Sequence, residues 1–368
     1  GWPSFCMIVF PLLVIVFFTS MLQEGQPTSL PVGVVDQDNT ATSRQMIRRL
    51  DSFQSSHVAA HYPNINEARQ AIQRNEIYAF LLIPKGTTDE LLSQRQPRIS
   101  FYFSNVSMVA GSMIFRDLKT MGMLSAAQVG AAKLSALGKT EREIGIFLQP
   151  IVVDLHQVGN PWTNYNVYLS TMLVPGLLML FIFLITAYAL GTELKFNRGK
   201  EWMALANQDA RVALLGKFLP HFVVFLTIFL GFEIYIFYGL NFPHPGGLAR
   251  IVLVSVLAVL ASQSFGIFAF GLMPSLRMSM SICSLWAVLS FTMSGATYPV
   301  FAMNPMIESM AQLFPLRHFY MIYQMNIFNG YPLVDGWFNF LMLLVFILLP
   351  VFVLGKIRRA MLEYVYIP

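Results

Sequence analysis

Six stretches of this chain are apolar for long enough to cross a lipid bilayer, and no other feature limits its fold so strongly. A hydrocarbon core about 30 Å thick needs roughly 20 apolar helical residues. Backbone amides find no water there, so such runs must fold as helices. The stretches are Phe5–Leu22, Tyr168–Leu190, Leu214–Leu240, Leu248–Met273, Met278–Tyr298 and Trp337–Leu354. Only Pro274-Ser-Leu-Arg277 separates the fourth from the fifth. The first is short, and the chain opens Gly-Trp-Pro, which points to a natural N-terminus further upstream. That first run lacks the basic leader and small-residue cleavage site of a signal peptide. Charged residues make up 12% of the chain, against about 25% in a soluble domain. Cys6 and Cys283 both lie in apolar runs, so no disulfide framework is expected.

Charge asymmetry gives the orientation. Lys195, Arg198, Lys200, Arg211 and Lys217 lie between the second and third runs, Arg277 follows the fourth, and Lys356, Arg358 and Arg359 follow the sixth. The short loops on the opposite side carry only Arg250 and Arg317. The positive-inside rule then places both termini and residues 191–217 in the cytoplasm. Residues 24–166 lie outside, and a loop that long translocates regardless of its charge. Trp162, Tyr165, Tyr168, Phe242, Tyr298 and Trp337 suit an interfacial aromatic belt.

Residues 24–166 read as a small α+β domain. Pro31–Asp36, Ile77–Ile83 and Arg98–Phe103 have strand character, and Ile151–Val158 is a further candidate. Thr42 or Ser43 is expected to cap a helix through Leu50, with further helices over Ile65–Arg74, 106–137 and Glu141–Phe147. His57 and His61 have the spacing of a helical zinc pair. The segment around them reads as extended, which separates the rings, so no metal site is expected. Asp36 and Asp38 fit turn and capping chemistry. The fold class is therefore an α-helical polytopic membrane protein with six transmembrane helices and an inserted α+β periplasmic domain. Its divisions are residues 1–23, 24–166 and 167–368.

The order of parts resembles the ABC-2 type permeases, especially bacterial export permeases of the drug-efflux kind. Leu30-Pro-Val-Gly-Val-Val-Asp-Gln-Asp38 followed by Thr42-Ser43-Arg44 is similar to that family's opening strand, acidic turn and helix start. Glu67-Ala68 and Tyr78–Pro84 resemble its next helix and strand. The segment from Gly191 to Met203 resembles the cytoplasmic stretch such permeases press against their ATPase, and Leu214–Pro220 the start of span three. Ser294-Gly295, Tyr298-Pro299, Pro305-Met306, Phe314-Pro315-Leu316-Arg317-His-Phe-Tyr320 and Gly330 resemble its signature after span five. One departure is Gly199-Lys200, where many members carry Gly-Thr.

The resemblance implies a separate nucleotide-binding subunit that carries ATP and Mg. This chain has no Gly-x-x-x-x-Gly-Lys-Ser/Thr, since Gly199-Lys200 precedes Glu201 and Gly216-Lys217 precedes Phe218. It is thus expected to bind no cofactor and to be no enzyme. Residues 191–213 are the coupling candidate, with Glu193, Lys195, Arg198, Lys200, Glu201 and Trp202. A plainer reading lays that amphipathic segment on anionic membrane lipids. Glu233 lies inside span three, where ionisable groups are costly. It is a translocation-path candidate with Ser294, Tyr298 and Met303, whose Met- and Phe-rich surroundings would otherwise be ordinary core. A second permease copy or paralogue is expected to complete the pore. The external domain offers a docking place for a periplasmic adaptor, and no nucleic acid is involved. The expected location is the bacterial inner membrane. The competing readings are a receptor or sensor with a periplasmic ligand domain, and an ion-coupled secondary transporter.

Overall fold

A computed structural model of the chain describes residues 5–93, 95–149, 160 and 163–364. The expected strand Ile151–Val158 and Trp162 lie outside them. Two compact units emerge: Gly1–Gly25 with Gln157–Pro368, and Gln26–His156 between. The first helix, α1 (Phe5–Met21), is apolar but 17 residues or shorter in its described part. It opens with a π-turn over Phe5–Val9.

The inserted unit is a four-stranded sheet in the order β2-β1-β3-β4. Strand β1 (Leu30–Asp36) leads into α2 (Ala41–Asp51), then β2 (Ser56–His61), α3 (Ile65–Gln73) and β3 (Ala79–Ile83). The helix α4 (Thr87–Leu92), β4 (Ser100–Phe103), α5 (Met108–Ala136) and α6 (Glu141–Leu148) complete it. β1 pairs in parallel with β2 and β3, and β3 antiparallel with β4. Side chains alternate across the sheet. Val32, Val34, Leu81 and Ile83 pack under α2 and α5, while Val35, Phe80 and Leu82 pack under α3.

The helix cap falls two residues before the expected one. Thr40, not Thr42 or Ser43, caps α2, and Ser43 returns the bond in a capping box. The helix α4 was not expected; it starts after Gly86, whose φ of 84° suits glycine. Gly138-Lys139-Thr140 reads like the end of a phosphate loop, but Lys133 stands where its first glycine would be. The triplet is a joint: Gly138 turns left-handed after α5, and Thr140 caps α6 with Glu143.

His57 and His61 both lie on β2, and the His57 Nδ1 sits 3.0 Å from Asp51. No group of three metal-binding side chains occurs among the described residues. Asp36 accepts from the amides of Asp38 and Asn39 and from the Ser43 hydroxyl. Asp38 accepts from the Gly86 amide at 2.8 Å, the Thr88 amide at 3.1 Å, and the Thr40 and Thr88 hydroxyls. Partial burial opposes the charged form of Asp38, but these bonds outweigh it and lower its pKa below the ordinary 3.8. Asp38→Ala should cost this unit about 1–3 kcal/mol at neutral pH. A lowered folded-state pKa means the carboxylate's contribution is complete above the unfolded value and fades as pH falls below it. Hydrogen exchange on peptides 26–92, wild type against variant at each pH, should show the gap closing below about pH 4.

The other unit is a helix bundle. It contains α7 (Tyr165–Lys195), α8 (Gly199–Leu205), α9 (Ala210–Gly239), α10 (Leu248–Leu272), α11 (Leu276–Met293), α12 (Pro305–Ala311), α13 (Pro315–Ile322) and α14 (Leu333–Glu363). Of these, α7, α9, α10, α11 and α14 are long and apolar enough to span a membrane. So among the described residues five of the six expected spans meet the requirement, and α1, where the first was expected, is apolar but shorter. α7 and α10 form the centre: 61% and 67% of their most apolar stretches are buried, against 22% in α11 and α14. α7 packs on α10 and α11, and α10 also on α9 and α14. Small residues allow this approach. A Cβ on Gly266 of α10 would fall 2.8 Å from the Thr186 Cβ of α7, and Gly271 abuts Val353 of α14.

Helix ends depart from the apolar runs. α11 ends at Met293, five residues short of Tyr298, and the chain turns at Gly295 with φ 92°. α14 extends past Leu354 to Glu363, tightened to a 3₁₀ turn over Leu349–Val353 around Pro350. Two π-turns face each other. One ends α9 at Tyr235–Gly239, and the other continues α13 over Tyr323–Phe328. Phe237 and Tyr323 stack between them, 5.9 Å apart.

Candidate functional site

The basic end of the bundle is an elbow made of α8 and the helix ends it joins. α7 stops after Lys195, and Asn197 turns left-handed with φ 55°. α8 then runs for two turns before Asn207 and Gln208 reverse the chain again. Asp209 starts α9 by accepting from the Arg211 amide at 2.8 Å. Two residues fix α8 in place. Gly199 backs onto Met361, where a Cβ would fall 2.8 Å from the carbonyl oxygen. Met203 is fully buried among Leu194, Ala210, Phe270 and Ile357.

The six coupling candidates divide by direction. Glu193 turns inward at 15% exposure, takes a 2.6 Å bond from the Lys217 ammonium, and lies 3.7 Å from Arg198. Trp202 is half-buried with Lys217 5.3 Å over its ring. Lys195, Arg198, Lys200 and Glu201 are exposed. Leu205 stands beside them 89% exposed, and Phe196 is 60% exposed with Lys195 and Arg198 over its ring. The outward face is therefore a charged rim around apolar side chains, the usual make-up of a protein contact. Beside the elbow, a cavity of about 250 Å³ lies between α1, α7 and α9, lined by Tyr188, Thr192, Lys217 and His221.

The four path candidates sit in different surroundings. Glu233 is fully buried in α9, where its Oε2 accepts a 2.6 Å bond from the Tyr323 hydroxyl. Its Oε1 has no partner among the described residues. Ser294 is also buried; it donates to the Phe291 carbonyl and accepts from the Ala296 amide. Tyr298 is exposed, and Met303 follows the 3₁₀ turn Val300–Ala302. A cavity of about 260 Å³ opens instead between the start of α7 and the π-turn of α13. Tyr168, Thr171, Tyr320, Gln324, Phe328 and Asn329 line it. Sequence reading missed it because its two walls are more than 140 residues apart. The pair Tyr320 and Gln324, at i and i+4, was the available signal.

The sequence profile of the family described as "ABC-2 family transporter protein" matches residues 2–355. The linearmycin resistance permease protein LnrN of Bacillus subtilis (strain 168) is 23% identical over 336 residues. That alignment covers 86% of this chain and 84% of LnrN.

Proposed function

The chain belongs to the ABC-2 family of transporter proteins, and from that premise we propose that it is the membrane permease of an ATP-driven exporter. Its partner is a separate nucleotide-binding subunit that carries ATP and Mg and performs the hydrolysis. The elbow carries this reading: a short helix pinned by buried Met203 and Gly199 turns Lys200, Glu201 and Leu205 outward, beside the exposed Lys195 at the end of α7. A pinned helix transmits force, whereas a loose one absorbs it.

In this reading the elbow lies in the cytoplasm with both termini, and residues 24–166 lie outside the bacterial inner membrane. A second copy or a paralogue supplies the other half of the pore. ATP binding draws the two elbows together, and rigid-body motion opens the path outward. A relative named as a resistance permease favours drugs, lipids and other amphiphiles as cargo. The external unit is free to dock a periplasmic adaptor.

Gentle purification from the native host, with mass spectrometry and an ATPase assay, tests the assembly. A stoichiometric nucleotide-binding subunit with ATPase activity is the expected result. A chain that purifies alone, under conditions that preserve other ABC complexes, would overturn it.

A further inference from the structure

The cavity of about 250 Å³ beside the elbow has walls of two kinds. Met7 of α1 with Ile185 and Ala189 of α7 make an apolar side. Tyr188 and Thr192 of α7 with Lys217 and His221 of α9 make a polar one. Each of these polar pairs is spaced i, i+4, so its two members share one helix face.

Lys217 supplies the charge on this wall. It is 17% exposed and gives one N–H to Glu193 at 2.6 Å. An ammonium has three donors, so two remain. Arg198 lies 3.7 Å from the same carboxylate, so two cations share one anion and the cluster keeps a net positive charge. The buried Nδ1 of His221 has no hydrogen-bond partner among the described residues. The Thr192 hydroxyl donates to the Ala189 carbonyl at 3.2 Å and keeps lone pairs for a donor.

A soluble anion would make no use of the apolar side, and a hydrocarbon none of the ammonium. A lipid head group uses both. Basic pockets between membrane helices, at the depth where head groups lie, suit the phosphate of a lipid. The volume takes a head group and the start of a chain rather than a whole lipid.

We infer that this cavity is a binding site for a phospholipid: Lys217 takes the phosphate, Tyr188, Thr192 and His221 surround the polar head, and Met7, Ile185 and Ala189 meet the first carbons of the chain. The site does not depend on the exporter reading. Its occupant would touch the same ammonium that holds Glu193 and lies over Trp202, and so the elbow.

Native mass spectrometry of the full chain in detergent tests this, with phosphatidylglycerol as probe and diacylglycerol of the same chains as its phosphate-free control. The first phosphatidylglycerol should bind at least about 10-fold more tightly than diacylglycerol, as a charge-assisted bond requires. Lys217→Gln should remove that preference. Lys217→Arg keeps a cation and should retain most of it, which separates recognition from folding. His221→Leu leaves the bond between Lys217 and Glu193 in place and should lower the preference about 3-fold or more. Arg358→Gln removes an exposed cation from the part of α14 that packs on α8, and should change nothing. Excess inorganic phosphate should not displace the lipid; displacement would make free phosphate the occupant and overturn the lipid. Equal affinity for the two lipids in the wild type would overturn the site. So would a preference undiminished in the Lys217→Gln or His221→Leu variant, or one lost in Arg358→Gln. Failure of the exporter reading would look different: no ATP-driven transport, with the lipid preference intact.

Discussion

Glu201→Ala combined with Leu205→Ala should abolish ATP-driven export while the protein reaches the membrane in normal amount. Both side chains are exposed, Leu205 at 89%. Exposed substitutions of this kind usually change stability by less than about 0.5 kcal/mol. If Leu205 is the apolar anchor of the ATPase contact and Glu201 part of its rim, their loss costs the complex about 2 kcal/mol or more, roughly 30-fold in affinity. The readouts are co-purification of the ATPase and transport into inverted vesicles, with a melting curve as control. Trp202→Ala is the less informative neighbour, because Trp202 also shelters Lys217 and its loss would loosen the elbow itself. Wild-type transport by the Glu201/Leu205 variant would remove the elbow as the coupling element.

Tyr323→Phe should lower the stability of the bundle by about 1–3 kcal/mol, because it leaves a buried carboxyl with no hydrogen bond among the described residues. Glu233 is fully buried between the π-turn region of α9 and that of α13. Removing both polar partners avoids an orphaned group, so Glu233→Leu with Tyr323→Phe should recover most of the loss. Thermal unfolding of the four combinations in nanodiscs gives the coupling between the two residues. A Tyr323→Phe protein that melts with the wild type would mean this bond carries no structural weight.

Membrane helices could be read from sequence because hydrocarbon imposes one requirement on every residue of a span. Their ends could not, because single residues set them. Gly295 ends the α11 region at a left-handed turn that apolarity does not signal, and α14 runs on through charged residues to Glu363. The same holds for the α2 cap, where Thr40 won over Thr42 and Ser43 through its reciprocal bond with Ser43. At the elbow the residue types were legible but their direction was not. Glu193 turns inward because Lys217 meets it from 24 residues away, and Met203 is buried while Leu205 is bare. Arg317 counted in the sequence as one charge in a short loop and as part of the signature after span five, and neither signals burial. Its burial follows from α13 folding into the bundle against α10, α11 and α14.

The paired π-turns bear on how such a bundle can move. Each turn stores one residue more than an α-helical turn needs, a small amount of slack in an otherwise taut rod. Taking up that slack would swing the residues beyond it by about 100° and advance them by about 1.5 Å. Gln324 lies within the π-turn of α13 and on the cavity wall, so re-threading that turn would exchange the wall's side chains while Pro315 and Leu316 kept their places. The helix is built like a screw with one loose thread, able to change what it shows to a cavity by turning rather than by sliding.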